Sequence, residues 1–546
     1  MSSRRNASSR IEKSTSTVIA TSLAGTREGA SDEQCVARFV TRIVASVGLL
    51  VAIAVLWSVA GLGPVALAED PQGQLDHSVF LPIVGKGDGA GSVDEPPAPT
   101  PAPTPTATPV LQTADYFVDA TNGSDSNSGT SRQQAWKTIQ KAANTVQSGK
   151  TVSVLAGNYS ERVRVSRSGA SGAPITFQAE RGVSMNGFTV YASYISILGF
   201  DISNTVDAWV DGWGIYVKGS NCLISDNYVH FATHGGIILA HDAGNPAQTS
   251  NCVVTNNRLY RNSQVGIEVR GKNHVVENNE IWGTIQYHPS WANPPSWLDA
   301  DGIRFFGSGH VFRKNYIHDI TFEDPENVNP HIDCFQTWDE ESAGVAKDTL
   351  IEQNTCWLGV ELGAPNAATK FIQLESGATG LTIRNNVSRG YLGILFEDNS
   401  TDNRVVNNVL VSDPSQQGNG YTQAFGLTNS PRNTFKNNII YNFANSYINA
   451  DSASRSGLDA GFNDVYRNDG QQLAGSPYPN DLWGVDPKLV NVSERDLRLL
   501  DGSPAVDSGT QLAYVPNDFD NIPRPQHAAF DIGAYEQATL LAANLP

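Results

Sequence analysis

Between residues 190 and 440 the apolar positions recur in blocks, with neither a helical period nor one long alternation. "NCLISDNYV" begins at 221, "NCVVTNNRL" at 251, "NHVVENNEI" at 273, "GHVFRKNYI" at 309 and "DTLIEQNTC" at 348. "GLTIRNNVS" (380), "NRVVNNVL" (403) and "NTFKNNII" (433) follow the pattern more loosely. Their equivalent asparagines are Asn227, Asn257, Asn279, Asn315, Asn354, Asn386, Asn408 and Asn438, spaced 30, 22, 36, 39, 32, 22 and 30 residues apart. The shortest spacing, 22, occurs twice and marks the bare repeat, with the excess elsewhere inserted as loops.

Short β-branched runs, an Asn at a turn and a following Gly-Ile predict one coil of a parallel β-helix per repeat. Each coil buries its Val and Ile inward and hydrogen-bonds to the coils above and below, ~4.8 Å away. Asn suits the turn because it tolerates the left-handed conformation and can hydrogen-bond along the stack. A leucine-rich repeat of similar length would need a regular leucine consensus, which is missing. Ahead of the repeats, "AWKTIQKAANTV" (135–146) places Trp136, Ile139, Ala143 and Val146 on one helical face. Such a helix would cover the open sheet end.

The first 68 residues read differently. Arg38 and Arg42 precede a long apolar run ending in Ala66-Leu67-Ala68, the pattern of a secretory signal cleaved near Glu69. The run is also long enough for an uncleaved membrane anchor. Residues 69–113 follow as a linker whose centre, 96–109, holds seven prolines in fourteen residues and should extend as polyproline II. The sequence thus divides into an export segment (1–68), a disordered linker (69–113), the β-helix (114–455) and a C-terminal cap (456–546). Export would leave 30 basic against 51 acidic residues, a net charge of −21. That excludes nucleic acid as a natural partner, and an acidic glycan would need local Arg or Lys or a bridging divalent cation. Removal of Cys35 with the signal leaves four cysteines, expected as buried thiols, with Cys222 and Cys252 stacked in one column.

Candidate chemistry emerges when the strands after each turn are stacked: "WGIYVK" (213), "GGIILA" (235), "VGIEVR" (265), "DGIRFF" (301), "DCFQTW" (333), "KFIQLE" (370) and "LGILFE" (392). The third and fifth positions are apolar in nearly every row and should face inward. The first column holds Asp301, Asp333 and Lys370 side by side. The fourth holds Glu268, Arg304, Gln336 and Gln373; the sixth holds Arg270, Phe306, Trp338 and Glu375. Charged, amide and aromatic side chains on one sheet face suit a sugar-binding groove. These rows also carry the long inserts, and inserted loops on a rigid scaffold commonly carry function. Taken singly, Asp333 suits an ordinary turn, His331 a loop hydrogen bond, Lys370 a solvated charge and Trp338 the core.

The body resembles the right-handed parallel β-helix proteins of the pectate-lyase-like superfamily, beginning with "YFVDATNGSDSNSGT" and the segment after it. "DLRLLDGSPAVDSGT" (496–510) and "NDFDNIPRP…FDIGAYE" (517–536) resemble the choice-of-anchor Q domain. The resemblance implies an all-β solenoid and export, but no single reaction, since this fold carries lyases, hydrolases, epimerases and binders. Three readings follow, each for a monomer acting on a polysaccharide at the cell surface or outside it. A hydrolase would use Asp301 and Asp333 as a carboxylate pair ~5 Å apart, sharing a proton, with His331 nearby as a further candidate. A lyase would use Lys370 or Arg304 as base. Beside Asp333 a lysine is a poor base unless calcium occupies the carboxylates, with Glu323, Asp324 and Glu326 as further oxygen donors. A surface glycan binder would use the same groove without turnover.

Overall fold

The computed structural model describes residues 113–537, apart from 242–248, 292–297, 321–330, 341–342, 359–367, 413–421, 472 and 474. The expected export segment, the linker up to residue 112 and the loop acids Glu323, Asp324 and Glu326 therefore lie outside the described residues. Among the described residues no helix is long and apolar enough to cross a membrane.

The chain winds through three parallel sheets of 13, 11 and 13 strands. Val265–Val269, Val275–Glu277 and Glu280–Trp282 make one coil. The next coil pairs with it in register, Ile267 with Ile303, Val276 with Phe312 and Ile281 with Ile317. All six side chains are buried in one core running the length of the stack. The coils continue past residue 455. Asp459–Gly461, Asp464–Tyr466 and Leu482–Trp483 extend the sheets, and Asn463 accepts the Asn438 N–H at 2.9 Å as one more rung. The remaining C-terminal chain packs Leu497, Leu499, Ile532 and Ala534 against Val387, Val409 and Ile439 on the outer face of the third sheet.

The asparagines divide between neighbouring positions the two tasks expected of one. Each residue from Asn257 to Asn438 in the series uses its amide oxygen to accept the N–H of the equivalent Asn one coil earlier, at 2.9–3.2 Å. The left-handed conformation belongs to the residue before: Asp226, Asn256, Lys314 and Gln353 have φ of 59°, 56°, 55° and 55°. That bend turns the chain so that the following Asn points inward, where it is buried.

A second ladder uses other acceptors. The Cys222 N–H meets Cys252 Sγ at 3.4 Å, the Cys252 N–H meets His274 Nδ1 at 3.1 Å, and the His274 N–H meets His310 Nδ1 at 3.2 Å. Cys222 and Cys252 are free buried thiols, as expected. Nδ1 of His274 and of His310 accepts, while Nε2 donates to the Arg270 and Phe306 carbonyls respectively, so both rings are neutral. Burial, reinforced at His274 by His310, lowers their pKa values to about 3 and about 4. An unfolded histidine takes a proton below about 6.5, so the unfolded state binds more protons throughout the interval below that pH. These two rings should therefore withdraw stability as pH drops from 6.5 toward 4, by up to ~1.4 kcal/mol per pH unit each, while buried carboxyls such as Asp464, whose pKa burial raises to about 8, act in the opposite sense. Doubly substituted His274→Asn/His310→Asn protein keeps an acceptor in the column and should lose that contribution, so that its urea-unfolding midpoint gains on wild type as pH falls through this range. A midpoint difference that stays constant with pH would show that these rings make no such contribution.

Two expectations need correction. Cys334 and Cys356 are not thiols but a disulfide, with Cα atoms 6.1 Å apart. In neighbouring coils the corresponding inward positions pair a glycine with an aliphatic group: a Cβ on Gly302 would lie 2.6 Å from Ile317, and one on Gly266 2.4 Å from Ile281. The bond thus crosses the interior within one coil, a contact that alignment along columns does not show. The N-terminal helix is also shorter than its apolar pattern, spanning Ile139–Thr145. Trp136 instead bridges to Val118 and donates its indole N–H to the Asn127 carbonyl at 2.9 Å. Ile139, Ala142 and Ala143 still enter the core.

Candidate functional site

The site sheet breaks alternation once per coil. In Asp301–Phe305, Gly302 and Ile303 both face inward, as does Phe305. Cys334, Phe335 and Thr337 repeat this in the next coil, all fully buried. The inward doublet turns the first, fourth and sixth columns outward. A strict period of two would have sent Asp301 and Asp333 into the core with Ile303 and Phe335.

Asp301, Asp333 and Lys370 then meet on adjacent coils, as their stacking predicts. The Asp333 N–H donates to Asp301 Oδ1 at 3.1 Å, and Arg304 Nε donates to Asp301 Oδ2 at 2.7 Å. Lys370, in register with Asp333, places Nζ 3.2 Å from Asp333 Oδ1. Both carboxylates have 0% exposure. Burial pushes the Asp301 pKa up to about 7 against the opposing pull of Arg304. Burial likewise raises Asp333 well above the carboxylate range, Lys370 opposing and Asp301 and Asp299 adding to the rise.

Asp299, which the sequence reading passed over, accepts the His331 N–H at 2.8 Å. Its position two residues before Asp301, in "LDADG", was the available signal. Burial and the Lys370 charge lower the His331 pKa, so the ring is neutral near pH 7. Its Nδ1 lies 3.3 Å from Gln336 Nε2.

Three buried acceptors here have no partner among the described residues: Asp333 Oδ2, Gln336 Oε1 and Gln373 Oε1. Gln336 and Gln373 are paired in register, as are Asp333 and Lys370, so the acceptors occupy two adjoining coils. An unpaired buried acceptor costs ~1–3 kcal/mol. Gln373 Nε2 donates to Glu375 at 2.8 Å and to Glu397 at 3.3 Å.

The other candidates engage each other. Glu268 binds Arg270 at 2.6 Å, and Arg270 also binds Glu340 at 3.2 Å. Phe306 is fully buried beneath Arg270, which leaves it no open face for stacking. Trp338 meets Phe306 edge-on at 4.7 Å, with Arg304 5.6 Å from its ring centroid.

The described residues do not fit calcium. Both Asp301 oxygens and one from Asp333 already accept N–H donors, Arg304 and Lys370 add positive charge, and calcium takes six to eight oxygens. No group of three or more His, Cys, Asp or Glu suited to a metal ion occurs among the described residues.

Comparison with known proteins bears on the frame that carries these groups. The model "Pel9A-like, right handed beta helix region" matches residues 116–280, and "Right handed beta helix region" matches 214–421. The chain is a right-handed parallel β-helix. The crystal structure of pectate lyase Pel9A aligns with this β-helix at a TM-score of 0.50 and 18% identity, covering 79% of this chain and 98% of that one. A structure of XylC with xylose aligns at 0.49 and 11%, covering 78% and 98%. The uncharacterized protein YwoF of Bacillus subtilis (strain 168) is 25% identical over 386 residues, 58% of this chain and 79% of that protein.

Proposed function

We propose that this β-helix is an exported enzyme that hydrolyses a neutral polysaccharide along the outer face of the sheet bearing Asp301, Asp333 and Lys370. The observation that carries this reading is the row of unpartnered acceptors, Asp333 Oδ2, Gln336 Oε1 and Gln373 Oε1. Sugar hydroxyls would supply the missing donors. The fold shared with a pectate lyase supports a polysaccharide as the substrate class. Neutrality follows from charge. Even with Asp333 protonated, Asp299, Asp301, Glu268, Glu340, Glu375 and Glu397 outnumber Arg270, Arg304 and Lys370, and all three cations are paired within the site. An anionic chain would meet net repulsion.

Asp333 holds a proton at neutral pH and has one free oxygen, so it donates to the glycosidic oxygen as the C–O bond breaks. With the two carboxyls about one strand spacing apart, Asp301 forms a bond to the sugar carbon as that C–O bond breaks, and water, passing its proton to the now ionised Asp333, then displaces Asp301 from the carbon. Lys370 and Arg304 hold the two carboxylates in place. Export is supported by the disulfide, which persists in oxidising compartments, and by the tail's resemblance to the choice-of-anchor Q domain.

A screen of neutral and acidic polysaccharides, with and without chelator, tests this. Reducing ends released from a neutral glycan regardless of chelator support hydrolysis. Unsaturated-uronate absorbance that chelator abolishes would replace it with the calcium-dependent lyase, and binding without cleavage would replace it with a glycan-binding surface protein.

A further inference from the structure

Four coils before Asp333, the same outward column begins with Trp213, and the chain gathers aromatic groups around it. Trp209 is 55% exposed. Its ring stands at 90° to Trp213 at 6.1 Å and at 79° to His234 at 6.0 Å, and His234 lies 5.2 Å from Trp291. Glycines seat two of these rings: a Cβ on Gly235 would fall 2.3 Å from the Trp213 ring, and one on Gly212 2.2 Å from His234. His234 Nε2 meets Asp207 Oδ1 at 3.2 Å, which assigns the proton to Nε2 and leaves Nδ1 as an acceptor.

The polar edges of this cluster lack partners. Among the described residues the buried indole N–H groups of Trp213 and Trp291, and His234 Nδ1, have none. Two donors and one acceptor thus lie within an aromatic cluster whose outer member is open to solvent. An apolar occupant would leave both N–H groups unsatisfied. A cation would face those donors, and an anion would face Asp207. A neutral polyol with one apolar face satisfies all of them: its hydroxyls both donate and accept, and its C–H face stacks on Trp209.

We propose that Trp209, Trp213, His234 and Trp291 form a remote subsite that binds one sugar residue of a neutral glycan chain. Trp213, Gly235, Val265, Asp301 and Asp333 succeed one another in the outward column, which sets the subsite roughly 19 Å along the axis from Asp333 at the usual strand spacing. Only a chain long enough to span that distance occupies both places. The inference rests on the reading that this sheet face carries a neutral glycan, and it names where the far end of the chain is held.

The test uses Asp333→Asn protein, in which binding is read without turnover. Titration calorimetry compares trisaccharides with octasaccharides of glucan, xylan, mannan and galactan type, with native Trp209, Trp209→Ala and Trp209→Phe. The octasaccharide should bind more tightly than the trisaccharide. Trp209→Ala should remove that gain, weakening the octasaccharide about tenfold, and Trp209→Phe should restore most of it. Circular dichroism melts of the variants establish folding. Equal length dependence in folded Trp209→Ala protein overturns the subsite while leaving the Asp333 reading intact, and so does an absence of binding at every length if wild-type protein still cleaves. Trp209-dependent binding by a wild-type protein that cleaves nothing upholds the subsite and overturns hydrolysis.

Discussion

Replacing Asp333 with Asn is expected to lower turnover by about 10²–10⁴-fold, the usual contribution of a positioned acid, and to leave the fold intact. Asn keeps the shape and an acceptor oxygen for Lys370 Nζ, now 3.2 Å from Asp333 Oδ1, but carries no transferable proton. Asp301→Asn should cost a comparable factor by removing the nucleophile. The double variant should lose little more than either single one, because residues acting as a unit are not additive. In wild-type protein the acid limb of the pH–rate profile should fall near pH 7, where Asp301 takes up a proton. Below that pH the nucleophile is neutralised, while Asp333 keeps its proton on both sides of it. An Asp333→Asn enzyme retaining most of its kcat, or a profile flat through neutrality, would remove the pair from the chemistry.

The second large effect concerns stability. Asn354→Leu should destabilise the protein by roughly 3–6 kcal/mol, since two or three buried groups would lose partners worth ~1–3 kcal/mol each. Asn354 Oδ1 accepts both the backbone N–H and the side-chain Nδ2 of Asn315 at 3.0 Å, and its own Nδ2 donates to the Phe312 carbonyl at 3.0 Å. Leucine is close in size and leaves no large cavity, so the measured loss reports the ladder itself. The damage should centre on the neighbouring coils, as repeat stacks couple mainly to nearest neighbours. Guanidinium unfolding that shows a loss below about 1 kcal/mol would mean that backbone pairing alone holds the coils.

The coil register was legible because the same physical demand recurs in each repeat. Asn227 through Asn438 fill the ladder, and the columns that align Asp301, Asp333 and Lys370 follow from counting between them. What escaped the sequence were interactions that run across the columns. Cys334 reaches Cys356 through the interior of one coil. Trp209 and Trp213, four residues apart, meet His234 and Trp291 from two other segments only in the folded cluster. Glu268, Arg270 and Phe306 occupy the expected face, but Glu340 and neighbouring side chains turn them toward one another rather than toward a ligand. The sequence by itself determined the all-β solenoid, its coil length and the rows in which the carboxylates and lysine stand, because repetition makes local patterns add along one axis. The tertiary structure alone decided how deeply Asp301 and Asp333 are buried, which of their oxygens stay free and which cross-coil pairs close, because burial and charge balance depend on neighbours that the order of residues does not place together.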